Sequence, residues 1–152
     1  MSLEGQKFAY PGEEAAPGQI LALAEEYRRA ADALLPLGRR GKPMSPYRLV
    51  AIHAIELYLN ALLVASGWTA ARVRGIHHDL GRRAELAVAA GLRPRRRTLA
   101  DLKGLSSNRE YVKMRYEPDL PSTACQPNGL EATLNEVAEK VAMRLAAISR
   151  RS

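Results

Sequence analysis

The sequence predicts an all-α fold, a single-domain bundle of about five helices. Two observations carry this. Ala, Leu, Arg and Glu are abundant while aromatic residues make up only 5% of the chain, and unbranched side chains lose little rotamer freedom in a helix. Apolar residues recur at three- and four-residue spacing, with no convincing two-residue alternation of a half-buried strand. At 152 residues the chain is long enough to bury a core without disulfide staples.

Residues 1–16 read as an irregular arm, and residues 17–150 as the bundle. From Pro17, the positions Ile20, Leu23, Ala24, Tyr27, Ala31 and Leu34 form one helical stripe that ends at "PLGRRGKP". "SPYRL" opens a second helix, with Ser45 as cap and Pro46 at the first helical position. It should run to about Ser66, with Gly67 as the left-handed stop. This helix is apolar nearly all round, which makes it the central one.

A connection holding Trp68 and "ARVRGIHH" follows. Asp79 is placed to cap a third helix with Leu80, Ala84, Ala87 and Val88 on its buried face and Gly91 as its stop. Thr98 and Asp101 form a capping-box-like start to a fourth helix that should continue to Tyr116. "EPDLPSTACQPNG" reads as a loop. In the last helix Leu130, Leu134, Val137, Val141, Leu145 and Ile148 share one stripe.

The net charge is +7, concentrated in "RRGK" at 39–42, the basic loop Arg93, Arg95, Arg96 and Arg97, and "RR" at 150–151. Such clusters attract polyanions, so RNA and phosphorylated ligands are natural partners. A lone Cys125 excludes an internal disulfide and fits a reducing compartment. No apolar signal core is present at the N-terminus, and the stretch "LYLNALLVASGWTAA" is shorter than the roughly 18 residues a spanning helix needs. A cytoplasmic protein with no membrane partner is therefore expected.

The segment "HAIELYLNALL" places three polar residues, His53, Glu56 and Asn60, in the apolar helix. At about 100° per residue, Glu56 and Asn60 fall within about 60° of His53. A buried carboxylate costs several kcal/mol unless it is paired. The expected partner is an arginine of "LSSNREYVKMRY", where Asn108, Tyr111 and Arg115 share one side and Arg109 borders the apolar line. Without a ligand, the same pairing would simply fix helix register.

Ala54-Ile55-Glu56, then His78-Asp79-Leu80, then Arg115-Tyr116 before Pro118 resemble the HEPN domain family in order and separation. The resemblance covers residues from about 17 to 148 and rests on short motifs. Asn60 stands where the family usually has Lys, and Glu117 interrupts the Arg-Tyr-Pro element. The resemblance implies a helical bundle, often dimeric, that binds nucleotides or RNA. Many such proteins act in toxin–antitoxin pairs, so an antitoxin-like partner or a stress-response role is implied as well. It assigns Arg109, Arg115 and Tyr116 to phosphate, with Asn108 and Tyr111 beside them.

RNases of that family use an Arg followed after four to six residues by a His, shared between two copies. Here Arg109 is followed by Arg115, which cannot accept a proton near neutral pH. A binding protein without RNase activity is expected. Arg72 with His77 or His78 has the right spacing in the connection and is the remaining catalytic candidate.

Two other readings stand beside this one. The chain could be a non-catalytic, dimeric helical scaffold, or a metal-dependent hydrolase using His53, Glu56 and His78. The second lacks a His-Glu-x-x-His spacing, so no metal or other cofactor is expected. No phosphate-cradling glycine loop or RNA-stacking aromatic cluster is visible, and Trp68 reads as core or interface packing.

Overall fold

The computed structural model describes residues 10–38, 44–118 and 126–151. Among them the chain is all-helical. The helices are α1 (Pro17–Leu34), α2 (Ser45–Ala65), α3 (Ala70–Arg74), α4 (Leu80–Ala89), α5 (Arg96–Ser107), α6 (Glu110–Tyr116) and α7 (Pro127–Arg151), with a 3-10 turn at Leu35–Leu37. The "RRGK" cluster and Cys125 lie outside the described residues.

Helix α2 is central, as its nearly continuous apolar surface requires. It packs against α1, α4, α6 and α7, and Ile52, Ile55, Tyr58, Leu59 and Leu62 are buried along it. The helix is longer than the apolar stretch singled out in the sequence. Its 21 residues are long and apolar enough to cross a bilayer by length and composition, but most of that apolar window is buried by the other helices. In α1, Ala24 and Ala31 reach the core while Leu23 stays exposed. In α7, Leu130, Leu134, Val137 and Val141 are buried, and Leu145 and Ile148 pack at the core's edge.

Several start and stop signals operate as expected. Asp79 accepts from the Arg82 backbone N–H at 2.9 Å and caps α4. Gly67 and Gly91 have φ of 101° and 107°, the left-handed geometry that closes a helix without a Cβ penalty. Gly91 has a second constraint: a Cβ there would meet the Arg144 guanidinium, whose Nε donates to the Ala90 carbonyl at 3.2 Å.

Other expected starts shift. Met44, at φ 55°, occupies the cap of α2, and Ser45 is already helical without a side-chain cap bond. Helix α5 begins at Arg96, so Thr98 and Asp101 are not its cap. Asp101 instead accepts from the Thr133 hydroxyl at 3.2 Å and ties α5 to α7. Helix α7 begins at Pro127, inside the segment read as loop. The connection after Gly67 contains α3, capped by the Thr69 hydroxyl oxygen accepting from Arg72 N–H at 3.2 Å.

The expected fourth helix is broken in two. Arg109 adopts φ 52° between α5 and α6, a left-handed conformation costing about 1–2 kcal/mol for a residue with a Cβ. The turn re-aims α6 so that Glu110, 2% exposed, meets Arg48 of α2, 4% exposed. Their carboxylate–guanidinium distance is 3.5 Å. Periodicity alone sees an unbroken helix here because the apolar spacing resumes after the turn.

Candidate functional site

The stripe on α2 receives α4. Glu56 is buried, and its Oε1 lies 3.3 Å from Nη2 of Arg83, itself only 2% exposed. Arg83 Nε donates to Asn60 Oδ1 at 2.7 Å. Its Nη2 also donates to the Val73 carbonyl at 3.4 Å, and its Nη1 donates to the His77 carbonyl. One guanidinium therefore satisfies two members of the stripe and pins α3 and the following turn to α2. That turn contains His77 at φ 57°, a left-handed conformation that His adopts more readily than bulky residues.

Outside this buried clasp lies a more exposed layer. His78 Nδ1 is 3.3 Å from Glu56 Oε1, and about half of the His78 side chain is exposed. Its ring stacks on Tyr111 with centroids 3.8 Å apart. Arg115 lies 4.6 Å above the Tyr111 ring and donates to its hydroxyl at 2.7 Å. His53, the third stripe residue, is 3.9 Å from Glu56 Oε2 and meets the Tyr27 ring edge-on at 4.6 Å. Asp79, besides capping α4, accepts from the Ser106 hydroxyl at 2.6 Å and ties the site to α5.

Glu56 is thus paired as a buried carboxylate must be, but its partner is Arg83 and not Arg109 or Arg115. Arg109 is the exposed cap residue of α6, and Arg115 points to Tyr111. The signal for Arg83 was present in the sequence. It shares the face of Leu80, Ala84 and Ala87 at helical spacing, so it could only point inward. The pair Arg48–Glu110 was hidden for a different reason, because the turn at Arg109 is invisible to periodicity.

The remaining candidates have different partners. Arg72 lies 4.0 Å above the Trp68 ring, while His78 faces Glu56. His77 is exposed and engages the site through its carbonyl. Tyr116 is 78% exposed. In the basic loop, Arg93 folds back onto the Val88 and Leu92 carbonyls at 3.1 and 3.0 Å. Arg95 pairs with Glu136 at 3.0 Å. Arg96 and Arg97 are exposed on the first turn of α5, and Arg97 and Asn108 line a cleft of about 360 Å³.

Burial pushes the Glu56 carboxyl up, but the proximity of His53, Arg83 and His78 outweighs it and holds the group below its ordinary value of 4.5. Burial pulls the Arg83 guanidinium down, opposed by Glu56 and Asp79. A carboxylate held below its unfolded value stabilises the fold above that value, and the contribution is lost as pH falls through the folded one. Glu56→Gln should therefore lower the melting temperature at neutral pH, with the gap closing as pH drops below 4.5. Thermal melts at a series of pH values read this directly. A gap that stays constant down to strongly acid pH would show that the Glu56 charge is not what holds the cluster.

The cluster thus combines a buried, charge-compensated base with an outer layer of imidazole, phenol and guanidinium. Those outer groups donate hydrogen bonds to anions. Among the described residues no group of three His, Cys, Asp or Glu side chains is arranged to hold a metal ion, and Arg83 occupies the carboxylate that the hydrolase reading needs. The described residues form an all-helical fold with a surface cluster of His78, Tyr111 and Arg115 built on a buried Glu–Arg clasp. Comparison with protein-family models, curated proteins and solved structures returned no match.

Proposed function

We propose that this chain is a HEPN-like nucleotide- or RNA-binding domain that binds without cleaving. One observation carries the reading. Two of the three short elements behind the resemblance, far apart in sequence, touch, and one side chain links them to the third: Glu56 contacts His78 at 3.3 Å, His78 stacks on Tyr111, and Arg115 rests on Tyr111. In this reading Arg115 and His78 donate to phosphate, and Tyr111 holds both in place. Arg96 and Arg97 add steering charge, whereas Arg95 and Arg93 are already engaged. A homodimer with an antitoxin-like partner in a toxin–antitoxin or stress-response system is the setting that fits such a module.

Binding of a labelled single-stranded RNA, followed by fluorescence anisotropy across a salt series, tests it. Arg115→Ala should weaken binding by about tenfold or more, since a charged hydrogen bond contributes about 1.5–3 kcal/mol. Replacing Arg96 and Arg97 by Ala should flatten the salt slope, because each lost phosphate contact releases fewer counterions. No cleavage product should form in the presence of a chelator. Cleavage abolished by His78→Ala would overturn the binding-only reading, because His78 Nδ1 already faces a carboxylate as a general base requires.

Exposed Val112 and Tyr116, one turn apart on α6, favour the second reading, a dimeric scaffold. A dimer that binds neither nucleotide nor RNA would select it.

A further inference from the structure

The Arg72–Trp68 stack belongs to neither the clasp nor the His78 layer. Arg72 is exposed, and its guanidinium carbon sits 4.0 Å above the Trp68 ring centre. The ring's backbone is fixed: Trp68 N–H donates to the Leu63 carbonyl at 3.0 Å, and the Thr69 hydroxyl oxygen caps α3 by accepting from Arg72 N–H at 3.2 Å. Contact with an indole restrains the guanidinium on one side. The opposite face of this planar cation remains the one directed away from the ring. An oriented guanidinium of this kind is a surface on which an unpaired nucleobase stacks, with its N–H groups left free for phosphate or base edges.

Its position relates it to the proposed phosphate site. Arg83 binds the carbonyls of Val73 and His77, so the segment between Arg72 and His78 is pinned to α2 at both ends. Six residues can span no more than about 22 Å, a distance that a few nucleotides of single strand cover. Arg74 lies in the same segment, 4.4 Å above Tyr10, but its charge is shared with Glu13 at 3.3 Å. Arg72 is therefore the better placed cation.

We infer that Arg72, held on Trp68, is a base-stacking subsite that makes single-stranded nucleic acid the ligand of the neighbouring His78–Arg115 site. This rests on the nucleotide- or RNA-binding reading and names the form of ligand that reading leaves open. A duplex keeps its bases stacked inside and offers none to Arg72.

Trp68 is the sole tryptophan of the chain, so its fluorescence reports on this subsite alone. The full chain is titrated with a single-stranded oligoribonucleotide of about ten nucleotides, with a duplex of equal length, and with inorganic phosphate. The single strand should change Trp68 emission, while phosphate leaves it unchanged and the duplex binds more weakly. Arg72→Ala and Arg72→Lys should each weaken single-strand binding by about tenfold, because lysine keeps the charge but not the plane. Circular dichroism checks that both variants are folded. Full binding by Arg72→Lys would reduce the subsite to charge and overturn the inference. Binding lost in Arg115→Ala but unaffected in both Arg72 variants, with silent Trp68 emission, would overturn the inference and leave the proposed function intact. No binding of any RNA by the unaltered chain would remove both.

Discussion

Glu56→Ala is expected to cost about 3–5 kcal/mol of stability, enough to lower the melting temperature by about 10 °C in a domain of this size. The size of the effect comes from what is left behind. Arg83 is 2% exposed, and arginine cannot shed its proton to escape burial. Its bonds to Asn60 and to the Val73 and His77 carbonyls satisfy its donors but not its charge. Replacing both partners, as Glu56→Ala with Arg83→Met, should recover much of the loss, since an apolar pair needs no compensation. Chemical denaturation of the two single variants and the double variant measures the coupling. A Glu56→Ala variant less than 1 kcal/mol below the parent would mean that Arg83 is solvated and the clasp is not a buried one.

The second large effect concerns Arg48 and Glu110. Glu110→Ala removes the carboxylate 3.5 Å from a guanidinium that is 4% exposed, and should cost about 3 kcal/mol. The consequence reaches the site. Glu110 meets Arg48 directly after the left-handed turn at Arg109, at the start of α6, which carries Tyr111 and Arg115, so the pair is expected to hold the direction of that helix. Without that anchor, Tyr111 should leave His78, and RNA binding should fall even below the melting temperature. Glu110→Gln keeps a hydrogen-bonding oxygen and should retain more of both properties. Measuring melting and RNA binding on the same preparations separates the two effects. If Glu110→Ala melts and binds like the parent, α6 is positioned by its apolar contacts alone.

The helical class, the central place of α2 and the burial of Glu56 were legible from the chain itself. Periods of 3.6 residues mark which face of each helix is apolar, and a helix apolar all round has nowhere to go but the middle. Asp79 at the start of α4, and Gly67 and Gly91 after α2 and α4, act through their own backbone neighbours, so local sequence suffices to place them. The short α3 and the displaced start of α5 were less legible. Helix α3 is only five residues long, too short for periodicity to mark although Thr69 caps it locally, and the start of α5 is met from elsewhere, by Glu136 accepting from the Arg95 N–H at 3.1 Å.

The sequence by itself determined that Glu56 needs a cation, because burying a lone carboxylate is too costly. Tertiary structure decided that the cation is Arg83. Local pattern put Arg83 on the inward face of its helix, but only the relative placement of α2, α4 and α6 decides which guanidinium reaches the stripe. The turn at Arg109 is the same kind of decision. Locally it is unfavourable, and it places Glu110 beside Arg48, sixty-two residues away. Charge balance in the core is a sum over helices that meet only in the folded chain, so no window of sequence contains it.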